Sequence, residues 1–360
     1  MTVQQWLPAA RRGDAVGDSA RLMQALLRAQ GHASEIFALE IEPDLRRDVR
    51  PFRGHADAGG DVTLLHFATP SPLTGALGRL RHGRVVQYHN VTPPRFFAPF
   101  SPELAALSAC ARRELRARRE LRALRDAADL AAGPSEFNRR ELEALGFAET
   151  RVLPLAVDVG RLRDAPPHPV MDRWLRDGRV NLLFVGRVAP NKKVEDLLRL
   201  AARYRRRVDP DARLVVAGRD DSVPRYAEFL RLLAARLGLG ADALVFTGAL
   251  SDAALAACYR AAGAYVSMSE HEGFCAPLVE AMAMDVPILA YAGAAVPETL
   301  GGAGVAFAPK DLDCAAEALG LLVHDARLRA SVIEGQRRRL AHFEIGRVGD
   351  ALRRIVERFT

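Results

Sequence analysis

The chain has 360 residues, 49% hydrophobic and 26% charged, an ordinary globular composition long enough for two domains of common size. No apolar run reaches the ~20 residues of a membrane span, the N-terminal MTVQQWLPAARRGD lacks a secretion-signal pattern, and the separated cysteines Cys110, Cys258, Cys275 and Cys314 form no CxxC pair, which argues against a disulfide framework or zinc cluster and fits a reducing cytoplasm. The formal net charge of +7 favours acidic partners without choosing among nucleotide phosphates, anionic lipid and nucleic acid.

Short apolar runs alternate with helical patterns along most of the chain. In the first half strands are expected at 3–8, 34–39, 62–67, 84–90, 130–135 and 151–156, with a helix over 18–32 that ends at Gly31. In the second half they are expected at 181–186, 213–218, 244–248, 264–269, 287–292 and 304–309. Runs of Val, Leu, Ile and Ala without polar alternation suit a sheet covered on both faces, and alternating strand and helix predicts an α/β chain with parallel, doubly wound sheets. The alternation breaks at 158–179, where Pro166, Pro167 and Pro169 and many charges read as a linker. Two Rossmann-like domains are therefore expected, residues 1–165 and 166–344. The apolar spacing of Val348, Leu352, Ile355 and Val356 predicts a last helix, 345–360, packing back on the first domain. Two such domains facing each other would form a crevice at the carboxyl ends of their strands, where ligands of open α/β sheets bind.

The residues just after strands are accordingly the candidates. Arg187 and Lys192 share the loop that leaves the strand ending at Gly186, and two cations on a rigid support can clamp a diphosphate. Glu270, Glu272 and Glu280 crowd the stretch EHEGFCAPLVE, with Gly273 between them and Pro277 placed to open a helix. Free N–H groups at that helix start favour an anion. The carboxylates of Glu272 and Glu280 can accept hydrogen bonds from sugar and ribose hydroxyls. In the first half, Gly13 and Gly17 lie in a loop entering a helix, suited to the approach of a phosphate. His89 and Ser135 end strands, and each admits a structural reading, a hydrogen-bonded histidine and a helix cap. Asp311 and Asp313 form a DxD pair, read as a helix start rather than a metal site.

These motifs, in this order, resemble the retaining GT-B glycosyltransferases of family 4, the glycosyl transferases group 1. EGFCAPLVE (272–280) has that family's E-x7-E spacing, VGRVAPNKK (185–193) is similar to its Gly-Arg…Lys loop, FTGALSDAALAACYRAAGAYVSMSEHEGF (246–274) matches the run into the motif, and PET (297–299) matches its downstream Pro-Glu. The likeness is close over about 180–325 and looser over YHNVTPP, AGPSEFNRRELEALGF and VLPLAVDV in the first half. It implies a GT-B fold and a hexosyltransferase that retains anomeric configuration, uses no metal and no cofactor, and takes a GDP- or UDP-linked sugar, mannose among the options, to a glycan or lipid-linked acceptor in envelope polysaccharide synthesis. Catalytic roles would fall to Arg187, Lys192, Glu272 and His89. Donor binding would fall to Gly17, Gly186, Gly273, Phe274, Cys275, Ala276, Leu278, Val279 and Glu280. Cys275 departs from a frequent family glycine, and Lys193 from a usual small residue.

Three other readings compete: a nucleotide-sugar epimerase, a phosphorylase, and a two-domain binding protein without chemistry. A dehydrogenase is disfavoured, because GDAVGDSA is not a GxGxxG after a strand. The stretch 108–130 places seven arginines, Arg112, Arg113, Arg116, Arg118, Arg119, Arg122 and Arg125, on one helical segment. It reads either as a solvated helix or as a surface that docks the chain peripherally on the inner face of the cell membrane. An aromatic content of 6% makes nucleic acid a poor partner.

Overall fold

The structure is a computed structural model that describes residues 1–54, 59–69, 71–112, 125 and 128–360. The chain forms two compact units. Unit 1 comprises Met1–Arg95, Glu103–Val157 and His342–Thr360, and unit 2 comprises Phe96–Pro102 and Asp158–Ala341.

Unit 1 is built on seven strands: β1 Thr2–Ala10, β2 Ala33–Ile41, β3 Arg50–Pro51, β4 Val62–Phe67, β5 Gly83–Tyr88, β6 Leu130–Gly133 and β7 Thr150–Val152. Their order in the sheet is β3-β2-β1-β4-β5-β6-β7, with every pair parallel. Unit 2 has six: β8 Asn181–Val185, β9 Arg213–Ala217, β10 Leu244–Gly248, β11 Ala262–Ser267, β12 Ile288–Tyr291 and β13 Val305–Phe307. Their order is β10-β9-β8-β11-β12-β13, again all parallel. Both sheets thus run outward in two directions from a central pair, β1/β4 in one and β8/β11 in the other. Inner strands β4 and β9 are buried along their whole length, which is why they carry so little polar alternation.

Every expected strand overlaps an observed one, with differences that have local causes. β7 stops at Val152, short of the expected 156, because Pro154 has no N–H to donate to the ladder. The two-residue edge strand β3 is too short to leave a periodic signal. The first helix is Ala15–Ala29 rather than 18–32: Asp14 caps it by accepting from Gly17 N at 3.3 Å, and Gly31 follows its end at φ +84°.

The stretch 158–179 is not a bare linker. It folds into helices Gly160–Arg163 and Pro169–Leu175 within unit 2. Leu162 is buried there and Arg163 Nε donates to the carbonyl of Ala283 at 2.9 Å. The units therefore divide between Val157 and Asp158, not at 165/166. Phe96–Pro102, far away in sequence, also belongs to unit 2, where the Phe100 ring meets Tyr226 edge-on at 4.9 Å.

The last helix, Ile345–Val356, returns to unit 1. Val348, Leu352, Ile355 and Val356 enter a core with Val3, Met23, Leu27, Val62, Leu64 and Val85. Gln30 Nε2 donates to Gly349 O at 2.9 Å and fixes the helix against Ala15–Ala29. Leu352→Ala would leave a cavity in that core, and the expected loss is about 2–5 kcal/mol of unfolding free energy, read from urea unfolding curves against the parent chain.

Candidate functional site

In an open parallel sheet, ligands bind at the carboxyl ends of strands where the strand order reverses. In unit 2 that point lies between β8 and β11, and the loops leaving these two strands carry most of the candidate residues.

The loop after β8 begins with Gly186 at φ +149°. Gly218, at the end of β9, sits so close that a Cβ on it would lie 2.1 Å from Gly186 O. The backbones of neighbouring strand ends thus pack directly, which sets where Arg187 leaves the sheet. Arg187 is exposed, and no hydrogen bond or ion pair engages its guanidinium among the described residues. The loop then tightens into the turn Pro190–Lys192, passes through Lys193 at φ +53° and enters helix Val194–Arg207.

The loop after β11 runs into helix Ala276–Ala283. The two loops are tied together by Asn191, a buried residue whose carbonyl accepts from Glu270 N and whose Nδ2 donates to His271 O, both at 3.0 Å. Next to this tie, Lys192 Nζ lies 2.5 Å from Glu272 Oε1, and the carboxylate is buried. Glu272 O accepts from Ala295 N at 3.3 Å, and the Thr299 hydroxyl donates to Phe274 O. The downstream PET segment is therefore a brace: its threonine holds the acidic loop from behind.

Cys275 caps helix Ala276–Ala283 at φ +69°, a left-handed conformation that glycine adopts without strain. The thiol is buried and its pKa is pushed up by burial and by Glu272, so it stays protonated. Pro277 is the second residue of the helix rather than the first. Leu278 N donates to Cys275 O at 3.0 Å, and the side chains of Phe274, Leu278 and Val279 are buried. Gly273 and Ala276 are half-buried.

Glu280 lies one turn into that helix and is also buried. Arg161 Nη2 donates to its Oε1 at 2.8 Å, and the Tyr259 hydroxyl donates to its Oε2 at 2.9 Å. Arg161 Nη1 reaches Asp252 Oδ1 at 2.9 Å as well. Burial, followed by the charge of Glu280, keeps the Tyr259 phenol protonated, with its pKa raised well above the ordinary value.

Arg161, Tyr259, Asn191 and Thr299 are absent from the sequence-predicted site. Arg161 lies in the stretch that reads as a linker, whereas Asn191, Tyr259 and Thr299 lie inside the motif stretches 185–193, 246–274 and 297–299 without being singled out.

Unit 1 holds the other two candidates. Gly17 is in the first turn of helix Ala15–Ala29, not in a loop, and its N–H is engaged by the Asp14 cap. A Cβ at Gly17 would come 3.3 Å from Arg11 O, so the glycine permits a close approach of the β1 exit to the helix. His89 follows β5, and its Nε2 lies 2.9 Å from His66 Nδ1, with the rings stacked at 5.1 Å. His66 Nε2 is 3.0 Å from Gln5 Oε1, and Gln5 Nε2 donates to Ala20 O at 3.0 Å. Burial lowers the pKa of both histidines, that of His66 to about 3, so both are neutral near pH 7. Their only signal in sequence is a histidine and a glutamine inside otherwise apolar strands.

Ser135 caps helix Glu136–Ala144. Asp311 caps helix Leu312–His324, and Asp313 pairs with Arg203 at 3.1 Å. Of the basic stretch 108–130, residues 113–124 and 126–127 lie outside the described residues. Among the described residues, no helix is long and apolar enough to cross a membrane.

Comparison with known proteins shows what the chain is similar to. Residues 173–339 match the model of glycosyl transferases group 1. The chain is 33% identical, over 64% of its length, to a GDP-mannose-dependent alpha-mannosyltransferase of Mycolicibacterium smegmatis, and it spans 56% of that protein. Among solved structures, Anabaena Alr3699/HepE in complex with UDP and glucose superposes with a TM-score of 0.76 at 16% identity, covering 99% of each chain. The sucrose-phosphate synthase of Thermosynechococcus elongatus gives 0.77 at 17% identity, covering 99% of this chain and 98% of that one. The fold is GT-B.

The Lys192–Glu272 pair supplies a direct test of the site's electrostatics. Lys192→Ala strands a buried carboxylate, with an expected loss of about 3 kcal/mol of stability. The double variant Lys192→Ala, Glu272→Gln removes both charges and is expected to recover most of that loss in the same denaturant titration.

Proposed function

We propose, for a chain whose residues 173–339 match the model of glycosyl transferases group 1, that it moves a hexose from a nucleotide-diphosphate sugar to a glycan or lipid-linked acceptor in envelope polysaccharide synthesis. Transfer proceeds with retention of configuration and without a metal or cofactor. The observation that carries this reading is the charge arrangement at the β8 and β11 ends. A buried Lys192–Glu272 pair stands there on two loops tied by Asn191, with the exposed Arg187 on the loop after β8.

A donor meets complementary chemistry at each part of this arrangement. Its diphosphate draws Lys192 away from Glu272 and adds Arg187. The freed Glu272 carboxylate accepts from sugar hydroxyls, with the backbone of Gly273, Phe274, Cys275 and Ala276 beside it. Neither charge is then left buried alone. The Glu280 carboxylate, oriented by Arg161 and Tyr259, accepts from ribose hydroxyls.

In the reaction the bond from the anomeric carbon to the phosphate oxygen breaks, and negative charge grows on that oxygen. Lys192 and Arg187 stabilise it where it forms. The acceptor hydroxyl attacks from the same face, and the departing phosphate oxygen takes its proton. Mannose from a guanine nucleotide is the donor to test first, because the Mycolicibacterium relative is named for it; the UDP in the Anabaena structure makes a uracil nucleotide the second.

Arg187 is the cleaner probe of the two cations, since Lys192 also serves Glu272. Arg187→Ala is expected to lower turnover with a productive donor about 100-fold while leaving stability within about 0.5 kcal/mol. Transfer at the parent rate would remove Arg187 from the clamp. The arginines of 108–130 lead to a further proposal, a cytoplasmic chain held peripherally at the inner face of the cell membrane, at about 1 kcal/mol per basic residue near the surface. Co-sedimentation with vesicles containing anionic lipid but not with neutral ones is the expected outcome; equal and negligible binding to both excludes it.

A further inference from the structure

We propose that Lys310 is a positioning residue of unit 2, which holds the loop after β11 in place while the Lys192–Glu272 pair opens for a donor. The proposal rests on the reading above, in which a diphosphate draws Lys192 away and Glu272 turns to the sugar. It goes further by assigning the residue that keeps Glu272 aimed once its own partner has left.

Lys310 lies just beyond β13. Its Nζ donates to Asp196 Oδ2 and to Glu270 Oε1, both at 2.8 Å, and stands 4.6 Å from the centre of the Tyr291 ring, whose face attracts a cation. Asp196 is in the first turn of helix Val194–Arg207, which the loop after β8 enters. Glu270 is in the loop after β11, two residues before Glu272, and Tyr291 ends β12. These strands stand side by side in the order β8-β11-β12-β13. One half-buried ammonium therefore joins the exits of four adjacent strands.

Two ion pairs fasten the loop after β11 to the segment that leaves β8. Lys192 of that segment meets Glu272, and Lys310 bridges Glu270 to Asp196 of that segment. Under the proposed reaction the first pair is given up when the diphosphate arrives. The second takes no part in that exchange and is kept. The chain leaving β12 backs Glu270 closely, since a Cβ on Gly293 would lie 2.8 Å from Ser269 O and 3.2 Å from Glu270 Cα. Glu270 is thus supported from behind by backbone and held at its side chain by a charge-assisted hydrogen bond, a stronger tie than a neutral one. Asp196 has a second cation, Arg199 Nη1 at 2.7 Å. Burial raises the Asp196 pKa, but the bonds from Lys310 and Arg199 bring it below the ordinary carboxylate range, so it stays ionised. Arg199 remains with Asp196 when Lys310 is changed, so the change falls on Glu270 and its loop rather than on the helix.

The test is steady-state sugar transfer by the full chain from a productive nucleotide sugar, with circular dichroism to show that each variant is folded. Lys310→Met keeps much of the side chain's length and removes the ammonium. It is expected to raise the donor KM about tenfold, the worth of one hydrogen bond to a charged group, and to leave kcat within about twofold, because the loop is held alike in the ground and transition states. Lys310→Arg keeps the cation and is expected to recover most of the parent KM. Glu270→Ala removes the same tie from its other end, so it is expected to match Lys310→Met, and the double variant to be no worse than either. If Lys310→Met fails to fold, Glu270→Ala and Lys310→Arg carry the test. A parent KM in folded Lys310→Met or Glu270→Ala overturns the proposal. So do losses that multiply in the double variant, a Lys310→Arg as impaired as Lys310→Met, and a fall in kcat at unchanged KM. Each of these outcomes leaves transfer by the parent chain standing. Absence of transfer by the parent chain from any nucleotide sugar would instead bring down the function on which the proposal rests.

Discussion

A parallel sheet whose strand order reverses must release two chains side by side at the reversal, and that constraint governs unit 2. The loops after β8 and β11 emerge there as neighbours. Polar backbone at such a place needs partners. Asn191 supplies them, bonding the other loop through its carbonyl and its side-chain amide. Thr299 braces the same loop from behind, and Gly218 lets the β9 end pack directly against Gly186. The charged residues stand on this frame, and their positions follow from it.

Charge at the site is held in balance. Glu272 and Glu280 are both buried, and an unpaired carboxylate in such a place would shed its charge or destabilise the fold. Lys192 answers the first and Arg161 with Tyr259 the second. The two pairings differ in kind. Lys192 reaches Glu272 through one nitrogen, from a turn. Arg161 spans Glu280 and Asp252 with its two terminal nitrogens, and Tyr259 closes the far side, so Glu280 is fixed in orientation. Unit 1 works with neutral groups instead. Its polar chain of Gln5, His66 and His89 lies in an apolar core that keeps both imidazoles uncharged.

Much of this was legible in the amino-acid order, for reasons that are local. The strands announce themselves because both faces of a doubly wound sheet are covered, which demands unbroken apolar runs. Ser135 and Asp311 cap helices, an effect that acts over two or three residues. Gly31, just past the first helix, lies in left-handed backbone, again a local requirement. Arg187, Lys192, Glu272 and Glu280 stood out because they follow strands that end in a recognisable motif. Gly17 was misplaced into a loop because the capping Asp14 lies next to Gly13, and a glycine so near a helix start looks like part of the approach to it.

By itself, then, the order of residues determined which segments become strands, that they alternate with helices, and which charged residues gather after β8 and β11. Tertiary structure alone decided what those charges touch. Arg161 reaches Glu280 across 119 positions, Lys192 meets Glu272 across 80, and His66 finds Gln5 across 61. It also decided that Ile345–Val356 completes the core of unit 1 and that Phe96–Pro102 joins unit 2. The physical reason is that periodicity, capping and turn chemistry act over a few residues, whereas a hydrogen bond or an ion pair depends on distance in space, and only the folded sheet order brings such distant positions together.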